Sequence, residues 1–121
     1  MGEMREILFR GKTVCDSDWV YGGITWNPSR KKFFIHTDWE EAKVIPETIG
    51  QYTGLTDKNG TKIFEGDILH AAQGNFVVRW SESICSFVAG EKERMRPCMN
   101  SGTMNCCEVI GNIYDNPELL K

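Results

Sequence analysis

Apolar residues occur in short runs separated by glycine, asparagine and proline, and nowhere recur with a helical period over any length. That rhythm predicts a mainly β chain of short strands. Residues 5–10 form an apolar-centred strand that ends at Gly11, and residues 19–26, rich in aromatic and β-branched side chains, form the next. Asn27 to Lys32 is a polar turn, because Asn-Pro initiates turns and Pro28 has no N–H for a ladder. Residues 33–36 resume a strand. Asp38 stands where it can cap one or two helical turns over residues 39–43, held by tertiary packing, and Pro46 stops Val44-Ile45. Residues 48–54 read as extended chain broken by glycines.

The middle of the chain is the most legible. Asn59-Gly60 predicts a tight type I′ hairpin with positive φ at both central residues. Ile63-Phe64 leads to a sharp corner at Glu65-Gly66-Asp67, residues 68–72 form a strand, and Gly74-Asn75 turns the chain again. Residues 76–80 return, with Phe76, Val78 and Trp80 on one face and Val77 and Arg79 on the other. Residues 86–89 and 108–114 are further strands, residues 90–105 a long loop or an unpatterned hairpin, and Asn116-Pro117 opens a terminal helical turn. A corner, a strand, a tight turn and a strand ending in Trp is the build of small SH3-like barrels. The expected architecture is therefore mainly β: a small mixed barrel-like antiparallel arrangement with an SH3-like C-terminal half and one or two short helical turns. It forms a single domain over residues 1–121 with halves of about 1–54 and 55–121. Such a fold by itself says nothing about ligand.

Composition narrows the function classes. The chain has 121 residues, 40% hydrophobic and 26% charged, which is globular rather than disordered. A net charge of -3 excludes a globally basic nucleic-acid binder but leaves room for a local basic patch. No apolar run approaches the ~18 residues of a spanning helix, and the charged start is unlike a signal peptide. A cytoplasmic protein without a membrane partner is expected. Five cysteines, with Cys106 and Cys107 adjacent and no C-x-x-C pair, suit reduced thiols better than a disulfide framework or a zinc site. Neighbouring Cys106 and Cys107 point to opposite faces if extended.

Several blocks of sequence resemble the YopX family of phage and prophage proteins. They are Met4-Arg5-Glu6-Ile7 with Phe9-Arg10-Gly11-Lys12, Trp19-Val20-Tyr21-Gly22, and Pro46-Glu47-Thr48-Ile49-Gly50-Gln51-Tyr52-Thr53-Gly54-Leu55. The resemblance continues through Asp57-Lys58-Asn59-Gly60, Ile63-Phe64-Glu65-Gly66-Asp67-Ile68 and Val78-Arg79-Trp80, and closes with Val109-Ile110-Gly111-Asn112-Ile113-Tyr114-Asp115-Asn116-Pro117-Glu118-Leu119-Leu120. Residues 27–43 and 81–106 fall outside these blocks, and Ile45 stands where the family often has Asp. The resemblance implies a phage-encoded intracellular protein that self-associates, with no catalytic or cofactor residues to carry over. No cofactor is expected.

Two sets of residues are candidate sites. Gln51, Tyr52 and Thr53, with Glu65, Asp67 and Trp80, make a candidate binding groove: Tyr52 would stack, Gln51 would read a polar edge, and paired Glu65 and Asp67 would split their pKa values or hold a metal. The plainer reading makes Tyr52 core, and has the polar groups bond irregular backbone and Asp67 bond its own turn. Trp26, Arg30, Lys31, Lys32 and Phe33 make a candidate nucleic-acid patch, since interleaved basic and aromatic residues suit single strands. Otherwise they are a solvated hairpin tip. The sequence carries no G-x-S-x-G, H-E-x-x-H, P-loop or dinucleotide fingerprint. The leading expectation is a non-catalytic accessory protein that self-associates and binds a host or phage macromolecule. A nucleic-acid-binding β module is the alternative, and a hydrolase or metal-dependent enzyme the second.

Overall fold

Alternation of apolar and polar positions in the computed structural model, described over residues 6–72, 74–90, 95–96 and 106–120, resolves into eleven strands, all paired antiparallel, and two short 3-10 turns. The mainly β expectation holds. Among these residues neither sheet closes into a barrel: the strand orders are open, β4-β3-β2-β1-β5-β6 and β10-β9-β8-β7-β11. The chain divides into two compact units, Met1–Tyr52 and Thr53–Lys121, and passes from one to the other inside β5 (Gly50–Thr56). No helix among the described residues is long and apolar enough to cross a membrane.

The first unit contains β1 (Phe9–Lys12), β2 (Trp19–Asn27), β3 (Lys32–His36), β4 (Glu41–Lys43), a 3-10 turn at Pro46–Thr48 and the start of β5. The first strand begins later than expected and runs through Gly11 instead of ending there. A Cβ at Gly11 would already lie 3.2 Å from both Ile35 Cδ1 and Val44 Cβ, so the glycine lets the strand pass close over the core. Residues 39–43 are not helical. The Thr37 hydroxyl accepts the backbone N–H groups of Trp39 (3.2 Å) and Glu40 (3.0 Å), and Thr37 N–H donates to Glu40 O (2.8 Å), closing a tight turn. The chain then returns as β4, with Lys43 opposite Phe34 and Ala42 opposite Ile35. Ladder pairing wins because so short a helix would gain few bonds for its nucleation cost. Ile35 and Val44 are fully buried in this unit.

The second unit contains the rest of β5, β6 (Lys62–Phe64), β7 (Asp67–Ala71), β8 (Gly74–Ser81), β9 (Ser86–Gly90), β10 (Met95–Arg96), β11 (Glu108–Asn112) and a 3-10 turn at Pro117–Leu120. Residues 48–54 differ from the broken extension expected: Thr48 ends the 3-10 turn and β5 runs unbroken through Gly54. Gly74 and Asn75 do not form a turn. Gly74 already pairs with Ala71 as the first residue of β8. The last strand stops at Asn112, whose Oδ1 accepts from Tyr114 N (3.0 Å) and Asp115 N (2.9 Å) and so turns the chain. Pro117 opens the terminal 3-10 turn as expected. Most of residues 90–105, Cys98 among them, and residues 1–5 lie outside the described residues.

One core cluster consists of Ile63, Leu69, Phe76, Val78, Ala89 and Cys107, with Leu55, Ala71 and Val109 packed against it. Ile68, Val77 and Val88, on the opposite parity, are buried as well. Burial of both faces at the middle of β7, β8 and β9 explains their nearly continuous apolar runs.

Glycines in β2 give a direct test. A Cβ at Gly22 would sit 1.9 Å from the His36 carbonyl oxygen, whereas one at Gly23 would meet nothing within 4 Å. Gly22→Ala is expected to cost about 3 kcal/mol through forced backbone displacement. Gly23→Ala should stay within about 0.5 kcal/mol of the parent. Urea denaturation of the two variants checks the contrast.

Candidate functional site

Strand parity sorts the side chains of the first unit. In β2, Tyr21, Gly23 and Thr25 are exposed, while Val20, Gly22 and Ile24 between them are half-buried. Cross-strand partners share a face. One face therefore carries Trp26 with Phe33, Ile24 with Ile35, and Ala42; the other carries Tyr21 with Arg10, Thr25 with Phe34, Lys43, and His36 with Glu41. The connecting turn forms because Asn27 Oδ1 accepts from Arg30 N–H (3.0 Å) and Lys31 takes a left-handed φ of 53°.

The candidate patch is thereby divided. Trp26 and Phe33 meet ring to ring at 4.9 Å on the apolar face near the tip. Lys32 falls on the opposite face, Lys31 stays in the turn, and the Arg30 guanidinium lies 4.9 Å over the ring of buried Phe34. Tyr21, Thr25, Phe34 and Lys43 were missed as companions of these cations. Period-2 alternation through residues 19–27 contains the signal for Tyr21 and Thr25, but Lys43 is hidden by reading its segment as helix. Further along the same face, Arg10 and Lys12 lie 4.6 and 5.5 Å from the Trp19 ring centroid, within cation–π range.

The groove candidates fall in both units. In the first, Gln51 is opposite Phe9 and Tyr52 is buried. In the second, Thr53 donates its hydroxyl to Ile63 O (2.8 Å) and accepts from Leu55 N–H (3.2 Å). Buried Asp67 accepts the Phe64 N–H through Oδ2 at 2.7 Å, and Gly66 between them has φ 94°, so this carboxylate shapes the β6–β7 corner. Glu65 is half-buried in that corner. Trp80 packs edge-on against its cross-strand partner Phe87 at 5.1 Å. Cys15, Cys85 and Cys106 are exposed free thiols and Cys107 is a buried one. Among the described residues no three His, Cys, Asp or Glu side chains gather as a metal site.

Asp57 organises the connection from β5 to β6. Its Oδ1 accepts from Asn59 N and Thr61 N, and its Oδ2 from Val109 N, each at 2.9 Å. Burial alone would raise its pKa, but those three backbone N–H groups and the charge of Lys58 outweigh it and hold the carboxyl below its ordinary value. This replaces the expected type I′ turn. Only Gly60 has positive φ (82°), Gly60 N–H bonds Asp57 O (3.0 Å) and Asp57 N–H bonds Thr61 O (2.9 Å), the pattern of a type I turn closed by a left-handed glycine.

With this architecture in place, the comparison that decides the family is one of extent: the YopX protein family matches residues 9–121. The chain belongs to that family. The YopX match covers residues 27–43 and 81–106 as well as the blocks quoted above, and begins after Met4-Arg5-Glu6-Ile7. The crystal structure of protein EF1440 from Enterococcus faecalis is similar, with a TM-score of 0.66 at 22% identity over 98% of this chain and 100% of that one. That likeness shows a shared fold. No curated protein matches the chain.

Asp57 also sets the acid behaviour of the YopX chain. Its folded pKa is depressed, so its contribution is fully present above the unfolded value near ~3.9 and is lost as pH falls through the folded value. Asp57→Ala should cost about 3 kcal/mol at pH 7 by stranding buried N–H groups. The variant should also flatten the decline in stability below about pH 4. Denaturant titrations at neutral and acid pH check both.

Proposed function

We propose that this YopX protein is a phage- or prophage-encoded accessory protein of the host cytoplasm, acting by binding other macromolecules and by self-association rather than by catalysis. The observation that carries the reading is aromatic exposure at strand ends and turns. Trp26 is 49% exposed beside Phe33, Trp80 is 47% exposed beside Phe87, and Trp39, in the turn before β4, is 93% exposed. Each of the two Trp–Phe pairs continues an apolar strand face outward to the end of a hairpin. Large aromatic side chains left in water at several places mark surfaces that gain by being covered, and Trp is enriched among residues that anchor interfaces. Ile84, exposed in the turn after Trp80, enlarges the apolar surface of that hairpin.

Sedimentation velocity at about 50 μM, above the micromolar dissociation constants of modest interfaces, should show an assembly larger than one chain. Replacing Trp26 and Trp80 by Ser should shift it toward monomer. A parent chain that sediments as monomer at all salt concentrations would remove the self-association reading.

A further inference from the structure

The Tyr21 face of β2, β3 and β4, on which Phe34 is buried and Lys32, Lys43 and Thr25 are exposed, has a chemistry that self-association does not use. Tyr21 stands 46% exposed on it, and beside Tyr21 come Gly23, where a Cβ would meet nothing within 4 Å, and Thr25. Same-face positions along a strand are about 7 Å apart, so Gly23 leaves a gap between the side chains of Tyr21 and Thr25, bordered on the next strand by His36. Arg30, Lys32 and Lys43 gather at the Phe34 end of this face. Lys43 is the cross-strand partner of Phe34, Lys32 is two positions before it on the same face, and the Arg30 guanidinium covers its ring at 4.9 Å. The acid that the register puts on this face is Glu41, ion-paired with His36 at 3.3 Å. Asp38 and Glu40 lie in the turn before β4, and Asp16 and Asp18 in the connection between β1 and β2. An acidic chain thus carries three exposed cations at one end of a face whose other end holds the exposed Tyr21, with the His36–Glu41 pair between them.

We infer that this face binds single-stranded nucleic acid, with Tyr21 as a stacking platform for one base and Arg30, Lys32 and Lys43 holding successive phosphates. Charge complementarity selects a polyanion, and the gap over Gly23 gives a base room to lie against Tyr21, which an acidic protein segment would not need. A duplex keeps its bases stacked internally and offers no free ring to Tyr21, so the site favours single strands. The assignment differs from the patch expected in the sequence, because Trp26 and Phe33 lie on the opposite face. It does not depend on self-association.

The test is fluorescence anisotropy of labelled twelve-nucleotide oligo-dT and oligo-dA, and a duplex of equal length, titrated with the full chain. Releasing counterions from three phosphates should weaken single-strand binding about twentyfold between 50 and 200 mM salt. Tyr21→Ala should weaken it about tenfold. Lys43→Gln should lower both the affinity and the salt slope, and Arg79→Gln, which removes an exposed cation from β8, should change neither. Thermal unfolding at the parent temperature establishes that Tyr21→Ala and Lys43→Gln remain folded. No anisotropy change with about 100 μM protein at the lower salt would overturn the proposal, since non-specific binding alone reaches that range. So would equal affinity for the duplex, displacement by polyglutamate at equal charge, or a loss in Arg79→Gln matching that in Lys43→Gln. Sedimentation without oligonucleotide reports separately on self-association.

Discussion

The carboxylate of Asp57 is the interaction on which the second unit turns. At 5% exposure a charge is costly to bury, and the cost is met by three backbone N–H groups that would otherwise be unpaired. One oxygen closes its own turn. The other holds Val109, 52 positions later in the chain. That long reach matters because β11 is an edge strand whose pairing with β7 shifts register between Val109 and Gly111. The strand is secured at its start by Asp57, by the bond from Lys58 N–H to Cys107 O (3.1 Å) and by the Lys58–Glu108 ion pair at 3.7 Å. At its end, Asn112 and Asn116 exchange bonds: Asn116 N–H to Asn112 O at 2.8 Å, and Asn112 N–H to the Asn116 side-chain oxygen at 3.3 Å. Between those anchors Cys107 and Val109 complete the core.

A second constraint acts in the first unit, where the two-residue period of the strands separates chemistry that the linear sequence interleaves. Trp26, Lys32, Phe33 and Phe34 are close neighbours along the chain, yet they divide into an apolar face and a cationic one. The Gly22 approach to His36 O fixes how closely β2 and β3 lie, and the turn made by Thr37 brings Lys43 alongside Phe34. A face of mixed basic and aromatic character is therefore assembled from three strands, although no continuous segment contains it.

What the sequence made legible follows from how local each signal is. The hairpin at Asn27–Lys32, the corner at Gly66 and the strands 19–26, 33–36 and 86–89 rest on residues within a few positions of one another, and they appear where expected. The helical turns over 39–43 failed because a side-chain bond from Thr37 and pairing with β3 outcompeted a weak local preference. The Asn59-Gly60 turn was located correctly but given the wrong geometry, since the controlling residue is Asp57 and part of its reason lies at Val109. Of the candidate site residues, Arg30 and Lys32 were visible as a basic run. Tyr21 and Lys43 join them only through register, which no short window contains.

The shape of β4 has a consequence for how copies of this chain can meet. It ends its sheet with three residues, Glu41, Ala42 and Lys43, two of them charged. The outward Lys43 carbonyl is already taken by Val14 N–H (3.0 Å), beside a bridge between Thr13 and Val44. So brief a border is a poor template for a foreign strand, and its charges discourage docking by backbone alone. Crowded molecules of this chain are thus steered away from growing one continuous fibrillar ladder along that border, and association there has to be negotiated by side chains.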